Sequence, residues 1–458
     1  MKTVSTEVYR FIGLVMLIGG AATYAHSQAS TNPVTVTSGQ TNSSTAPTTL
    51  TLQDALERAK KINPEYRAAV SEFGLAKEDK LQSRAALLPN VNFNSSFIYT
   101  EGSGIPGVGR YIANNGVHEY ISQGDVHQEF SFAGVAEYRR ALAAQAVAKA
   151  KSEIAARGLV VTVVQTYYGL VVAQQKYATA QRAQSEAQRF FTISQKLETG
   201  GEVAHADVIK AEVQFQEQER GLKEAELEME RSRSELAVLV FPDFNQNFAV
   251  IDDLQIPEPL PTFAEVQAAA ANNNPDLHAA LAAVREANQE VAVAWNGFLP
   301  TVSIDYLYGI DSAQFSTYQI DPVTRLRVHS LGYAGTATLQ LPIWNWGANR
   351  SKLKQASLRR EQAHVELSFA QRQLLANLQN FYHEAQTSGE ELESLQHSAE
   401  LAAESLRLTT MRYQAGEAIV LEVVDAQNTL NLARNSLNDG QARYRVALAN
   451  LQTLTGSL

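Results

Sequence analysis

The stretch RYQAGEAIVLEVVDA, from Arg412 to Ala426, decides the fold, and a weaker copy, LETGGEVAHADVIKA, runs from Leu197 to Ala211. In both stretches a Gly-Glu pair is followed by an acidic residue six positions after the glycine: Glu422 in one and Asp207 in the other. Glycine can take the left-handed conformation that ends a helix. A fresh apolar heptad begins after each glycine. Each stretch therefore predicts a tight helix-to-helix turn, the tip of a helical hairpin.

The two tips belong to a tandem repeat. Motifs of the first half return in the second half at a nearly constant offset of 211 to 215 residues: Asn63-Pro64 as Asn274-Pro275, Leu88-Pro89 as Leu299-Pro300, Tyr167 as Tyr382, and Ala211 as Ala426. We predict one repeat at residues 50–241 and a second at 262–458, joined by a proline-rich linker at 242–261. The two halves are expected to share one architecture.

Each repeat has the pattern of a helix, two strands separated by a loop, a long helix, a turn and a last helix. Apolar and polar residues alternate with a period of two in the four predicted strands, at about 90–99, 119–132, 301–308 and 331–343. One face of each strand is apolar and the other polar. This alternation, in segments of about ten residues, is typical of a barrel with lipid outside and water inside.

Very long helices follow the strand pairs, at about 135–199 and 348–415. At 1.5 Å per residue each is roughly 100 Å long, so the helices must support one another laterally. The helices after the tips carry apolar or small residues at alternating spacings of three and four, which is typical of coiled-coil packing. Two shorter helices stacked end to end along one long helix is the simplest arrangement.

The N-terminus has the pattern of a secretory signal. Lys2 and Arg10 precede an apolar run from Phe11 to Ala22, so we predict a signal peptide at 1–29 and a flexible segment at 30–49. The run is too short to span a bilayer. The net charge of −10 argues against a nucleic-acid partner, and the lack of cysteine excludes disulfides. The mature chain is exported and would enter a membrane only as strands of a closed barrel.

Four strands per chain cannot close a membrane barrel. Two copies would give a barrel of eight strands, and side chains fill the interior of a barrel of that size. Three copies would give twelve strands, which make a barrel wide enough for a pore. A homotrimer is therefore preferred on geometry. The chain is predicted to be an α+β membrane protein whose trimeric barrel continues into a long α-helical coiled-coil barrel.

The mature chain resembles the TolC-like outer-membrane efflux channel family. The resemblance rests on the duplicated plan, the Leu-Pro before the first and third strands, IWNWG at 343–347 leading into the long helix, and the Tyr-x-x-Gly tip at 413–416. It implies a trimer with a 12-strand barrel in the outer membrane, a 12-helix periplasmic tunnel and an equatorial belt. It also implies docking onto a periplasmic adaptor (a membrane fusion protein) and an inner-membrane pump, as in tripartite efflux or type I secretion. The resemblance does not indicate whether drugs, metal ions or proteins are transported.

The resemblance assigns a periplasmic gate to Asp207, Tyr413, Glu422 and Asp425. In a trimer, Glu422 and Asp425 would form two carboxylate rings that favour cations. Tyr413 matches a gate tyrosine of the family, and Asp207 matches its partner on the neighbouring hairpin. Ala418 stands where some members have a tip arginine, which puts the salt bridge made by that arginine in doubt.

The resemblance and the exposed turns assign two further groups of residues. The adaptor would contact the hairpin tips: Gly200, Gly201, Glu202 and Val203, with Gly416, Glu417 and Ala418. Aromatic residues at the ends of the return strands would lie at the membrane interface, with core packing as the alternative: Phe130, Phe132, Trp344 and Trp346. We predict that Glu202 and Glu417 lie in the first turn of the helices after the tips, where their only effect could be a favourable interaction with the helix dipole. Glu422 and Asp425 are predicted to lie farther into the helix.

No arrangement of nucleophile, base and orienting group suggests an enzyme, and no cofactor is expected. His383-Glu384 lacks the second histidine of a zinc helix. The Gly-rich stretch 102–107 fits a loop between strands better than a dinucleotide site, since no helix follows it. A non-conducting structural or adhesive periplasmic coiled coil is the alternative function, but such a coil would not need lipid-facing strands.

Overall fold

The computed structural model describes residues 48–99, 118–243, 247–254, 259–312, 314–321 and 323–456. The predicted signal peptide, residues 30–47 of the flexible segment and the Gly-rich stretch 102–107 lie outside these residues. The first half contains the elements β1 Thr48–Leu50, α1 Leu52–Ile62, α2 Pro64–Ala85, β2 Asn90–Tyr99, β3 His118–Phe130, α3 Phe132–Thr199, α4 His205–Val240 and β4 Phe248–Val250.

The second half repeats the order of two helices, paired strands, a long helix and a last helix. Its elements are α5 Phe263–Asn273, α6 Pro275–Asn296, β5 Thr301–Ser312, a small hairpin of β6 Tyr318–Ile320 and β7 Arg327–His329, β8 Leu331–Gln340, α7 Ala348–Gln414 and α8 Val420–Thr455.

The same local device begins α2 and α6. The side chain of Asn63 accepts a hydrogen bond from the Tyr66 N–H at 2.8 Å, and that of Asn274 accepts one from the Leu277 N–H at 2.9 Å. A proline follows each asparagine at the first helical position, where its missing N–H leaves no bond unmade. Both helices then run for 22 residues. The recurring Asn-Pro motif thus sets equivalent helices in the two halves.

Four strands form one antiparallel sheet in the order β2-β3-β5-β8. Along β5 the apolar residues Val302, Ile304, Tyr306 and Tyr308 are exposed, whereas the residues between them are half-buried: Ser303, Asp305 and Leu307. The sheet of a single chain therefore turns its apolar face outward. Strands β2 and β8 have no partner on their outer edges among the described residues, so the sheet has two free edges.

Three predicted boundaries are wrong, each for a local reason. Strand β3 ends at Phe130, because the hydroxyl of Ser131 accepts the Gly134 N–H at 3.0 Å and caps α3, so Phe132 is helical rather than a strand residue. Strand β8 ends at Gln340, before Pro342, which has no N–H to donate. Strand β5 continues to Ser312, beyond the predicted end at 308, through pairing with β3.

A fourth correction concerns the segment predicted to be flexible up to residue 49. Thr48, Thr49 and Leu50 form β1, which pairs in parallel with β4, itself part of the inter-repeat linker. Leu50 is fully buried. The last residues of the predicted lead-in and the linker are therefore fixed to each other by a backbone ladder.

The helices lie as side-by-side columns. The shorter helices α2 and α4 pack along α3, while α6 and α8 pack between α3 and α7. The long helices have 68 and 67 residues, which gives each a length of roughly 100 Å. Gly440 of α8 allows a close approach, since a Cβ there would lie 2.5 Å from Leu395 Cδ1.

The largest apolar cluster lies at mid-height, where α3 meets α1, the end of α4 and the β1–β4 pair. By length and composition alone, α3 contains a window apolar enough to cross a membrane, and 44% of that window is buried in the structure. Residues Leu159 to Val172 of α3 contribute much of this cluster. Core packing thus accounts for part of the apolar composition of the helix.

Tyr167 ties the β1–β4 pair to α3. Its side chain is 1% exposed, and its hydroxyl donates to the carbonyls of Ile251, at 2.9 Å, and Leu50, at 3.2 Å, while accepting from the Ile251 N–H at 3.1 Å. One hydroxyl therefore serves both short strands. Tyr382, its counterpart in the second repeat, is only half-buried and packs edge-on against Phe263.

We expect Tyr167→Phe to lower the free energy of unfolding by about 1–3 kcal/mol at neutral pH, because the Leu50 carbonyl and two backbone groups of Ile251 lose a hydrogen-bond partner. Burial raises the pKa of Tyr167 to about 12, so the neutral phenol stabilises the fold below pH 10 and that contribution is lost as the pH rises toward 12. Thermal unfolding of the two proteins across this range should therefore converge at high pH. Tyr382→Phe is the control, with no comparable loss; equal losses in both variants would contradict the assignment.

Candidate functional site

Both predicted tips are turns closed by a left-handed glycine. Gly201 has φ of 76° and Gly416 has φ of 75°. The N–H of the next residue donates back to the preceding helix: Glu202 to the Leu197 carbonyl at 2.9 Å, and Glu417 to the Arg412 carbonyl at 2.8 Å. A side chain other than glycine would be strained at these φ values. The two stretches that define the repeat therefore have the same backbone geometry.

Tyr413 is the buried centre of the tip region. It is 3% exposed, its ring lies 5.0 Å from that of Phe190 on α3, and its hydroxyl is 3.1 Å from Ser194 Oγ. Burial raises the pKa of Tyr413; the Ser194 hydrogen bond lowers it and the charge of Asp207 raises it further. The hydrogen-bond partner of Tyr413 in the described chain is Ser194, whereas Asp207 acts on Tyr413 through its charge.

Glu422 belongs to a compact network across the second tip. Its Oε2 lies 3.2 Å from Arg412 Nη1, and its Oε1 accepts the Ile419 N–H at 3.3 Å. The other guanidinium nitrogen of Arg412, Nη2, donates to the Glu417 carbonyl at 3.0 Å. The last turn of α7, the tip and the first turn of α8 are thus held by one arginine and one carboxylate.

The positions predicted for the tip carboxylates are wrong by one turn. Helix α8 begins at Val420 and α4 at His205, so Glu422 and Asp207 occupy the first helical turns. Glu417 and Glu202 lie in the turns before them. The reason is that the third residue after each left-handed glycine, Ile419 or Ala204, has an extended backbone and forms the N-cap, so the chain becomes helical again only after it. Glu422 therefore has a helix-capping role in addition to any role in a pore.

Asp425 is exposed, and within the described chain it makes no ion pair. It lies three residues after Glu422, so both carboxylates are on the same side of α8. The first tip differs from this arrangement. Asp207 is half-buried and lies 3.4 Å from Lys210 Nζ, and His205 Nδ1 lies 2.6 Å from Glu198 Oε1 across the turn.

The residues predicted to contact an adaptor surround the two turns. Gly200, Gly201, Glu202, Gly416 and Glu417 are exposed. The remaining two, Val203 and Ala418, are half-buried against the apolar cluster that contains Tyr413. The polar side of each tip is therefore open to a partner, while its apolar side anchors the turn.

The four aromatic residues predicted at a membrane interface are all exposed in the single chain, by 56% to 89% of their surface: Phe130, Phe132, Trp344 and Trp346. The indoles of Trp344 and Trp346 meet edge-on with centroids 5.8 Å apart. Core packing within the chain does not account for them. They lie where the sheet gives way to the long helices.

Among the described residues, no group of three or more histidine or acidic side chains is arranged to hold a metal ion. The polar groups at the tips instead form ion pairs and helix caps. Their arrangement places charged groups on the surface of the tips and fixes the two turns.

Comparison with known proteins agrees with this architecture. Residues 266–457 match the family described as outer membrane efflux protein. The alkaline protease secretion protein AprF of Pseudomonas aeruginosa is 22% identical over 89% of this chain and 85% of its own length. The outer membrane protein TolC of Escherichia coli is 21% identical over 89% of this chain and 82% of its own length. The second repeat of the chain is thus similar to the outer membrane efflux protein family.

Solved outer membrane channels have the same fold as this chain. The open state of the MtrE outer membrane channel of Neisseria gonorrhoeae superimposes with a TM-score of 0.74 at 21% identity, covering 88% of each chain. The CmeC outer membrane channel of Campylobacter jejuni gives 0.74 at 19% identity, covering 88% of this chain and 85% of CmeC. The predicted resemblance to TolC-like channels is confirmed.

Proposed function

We propose that this protein is the exit duct of a tripartite efflux or type I secretion system. It passively conducts substrates from a periplasmic adaptor and an inner-membrane pump to the exterior. The observation that carries the proposal is the continuity of one sheet, with an exposed apolar face and two free edges, with helices roughly 100 Å long. A structural coil needs the helices, whereas lipid-facing strands serve a pore.

A homotrimer satisfies the free edges of the sheet. Strand β2 of one copy can pair with β8 of the next, which satisfies the unpaired backbone groups that a membrane does not tolerate. Three copies of a four-stranded sheet give twelve strands, enough to leave an open lumen. The strands β2, β3, β5 and β8 would then form the barrel in outer-membrane lipid, with the exposed aromatic residues at its periplasmic rim.

The helical columns also have two unfilled sides that fit each other in a trimer. Exposed apolar residues lie along α7 on one side and along α2 and α4 on the other, several of them seven residues apart: Leu358, Val365, Leu401 and Leu408 on α7, and Leu75, Ile209 and Val213 on α2 and α4. A neighbouring copy would bury both sides. Four columns per chain would then give a twelve-column periplasmic tunnel.

The tips would form the periplasmic entrance. Tyr413 and Asp207 would hold the second hairpin against the first, Glu422 and Asp425 would line the constriction, and the exposed turns at 200–203 and 416–418 would contact the adaptor. The inter-repeat linker would form an equatorial belt, since β4 is bound to α3 through Tyr167. The name of AprF concerns secretion of a protease; substrate choice would lie with the pump.

Single-channel recording in planar bilayers tests this function. We expect discrete, cation-selective conductance from the wild type, and loss or reversal of that selectivity in Glu422→Ala/Asp425→Ala, because the constriction loses its carboxylates and keeps Arg412. The control is Glu393→Ala/Glu400→Ala, which removes two exposed carboxylates higher on α7. No conductance from folded, inserted protein would contradict the duct and support the structural alternative. Equal selectivity in all three proteins would place the filter elsewhere.

A further inference from the structure

The tip of the second hairpin contains a fixed cation beside the carboxylates proposed to line the entrance. Arg412 Nη1 lies 3.2 Å from Glu422 Oε2, and Nη2 donates to the Glu417 carbonyl at 3.0 Å. The guanidinium is therefore held at two points, one on the turn and one on α8. It stands four residues before Gly416, on the opposite side of the turn from the helix that carries Glu422.

Both partners of this ion pair are accessible. The side chains of Arg412 and Glu422 are 52% and 43% exposed, so the pair lies in water and adds little to stability. Its effect is instead on local charge. Within a few ångströms the arginine cancels the negative potential of Glu422, whereas Asp425, three residues farther along, has no ion-pair partner within the described chain.

The repeat supplies an internal comparison. The position equivalent to Arg412, four residues before the left-handed glycine of the first tip, is Leu197. No arginine crosses that turn, and Asp207 is left with Lys210 on its own helix. The crossing arginine is thus specific to the hairpin that carries two carboxylates in succession.

We propose that Arg412 is a selectivity-determining and positioning residue of the duct: it neutralises Glu422 and leaves Asp425 as the uncompensated carboxylate at the entrance. This inference rests on the proposed function. In a trimer the carboxylates at 422 and 425 and the arginines at 412 would sum to a net charge of about −3 rather than −6. The entrance would then attract cations weakly enough for anionic substrates to pass.

Reversal potentials in a KCl gradient test the proposal directly. We expect Arg412→Gln to raise the cation-to-anion permeability ratio about sevenfold, since a further potential of about one kT favours the cation and disfavours the anion by equal factors. Arg412→Gln/Glu422→Gln should return to the wild-type ratio, because the pair is removed together. Arg412→Lys should stay near wild type, since the charge remains.

The matched control is Arg407→Gln on the same helix. Arg407 is similarly exposed and is paired with Glu404, a carboxylate outside the proposed entrance. We expect no change in its permeability ratio. An Arg412→Gln protein that behaves like Arg407→Gln, while Asp425→Ala still alters selectivity, would overturn the role of Arg412 and keep the duct. Absence of conductance in every protein would instead contradict the proposed function.

Discussion

Gly309→Ala is expected to reduce the amount of folded, membrane-inserted protein by about tenfold or more. Gly309 lies in β5 opposite Gln123 of β3, where the strands of the two repeats meet. A Cβ at this glycine would overlap the Ser122 carbonyl oxygen and the Gln123 Cα. Both are backbone atoms, so no side-chain rotation can relieve the overlap, and the cost should exceed about 3 kcal/mol.

Gly332→Ala is the matched control for that substitution. Gly332 lies directly opposite Gly309 in the neighbouring strand β8, but a Cβ there meets nothing within 4 Å. Native gels of outer-membrane extracts should show normal assembly for Gly332→Ala and little or none for Gly309→Ala. Normal assembly of both proteins would show that β3 and β5 are farther apart than the structure has them.

Tyr413→Ala should produce the largest functional change, with channels that open more often and conduct several times more current on average. The substitution removes a buried ring packed on Phe190 and the hydrogen bond to Ser194. Loss of a buried aromatic side chain costs about 3–5 kcal/mol. Because that energy would hold the second hairpin against the first, its loss shifts the population toward separated tips.

Two further substitutions separate this local effect from general destabilisation. Tyr413→Phe removes only the hydroxyl, so a loss of about 1 kcal/mol and a smaller rise in open probability are expected. Tyr382→Ala removes an aromatic side chain of α7 that lies far along the helix from the tip and packs against Phe263. This substitution should lower stability without changing the current. Equal currents from the Tyr413→Ala and wild-type proteins would exclude this tyrosine from the gate.

Much of the architecture can be predicted from the sequence because it depends on local rules. Asn-Pro sets the starts of α2 and α6, glycine sets the two tips, and alternation sets the strands. The ends of helices and strands were less predictable, since a single capping residue can decide where each one lies. Ser131 turns Phe132 from a strand residue into a helical one, a choice between neighbouring residues that hydrophobic pattern alone does not resolve.

The tip contacts were predicted only in part. Tyr413 and Glu422 stand out in the sequence, but Ser194, more than two hundred residues before Tyr413, becomes its partner only when the tips of the two hairpins meet. Arg412 was missed although a signal exists: it is a basic residue in the last turn before the tip, and Glu422 is an acidic residue in the first helical turn after it. The repeat also hides this difference, because Leu197 stands at the equivalent place in the first tip.

Counting the chains in the assembly tests the proposed exit duct most directly. Native mass spectrometry of the protein extracted from outer membranes should give three copies, since twelve strands are needed for an open lumen and each chain supplies four. Two copies would close only eight strands, whose side chains fill the interior, and one copy would leave both sheet edges unpaired. Either of those results would contradict the exit duct.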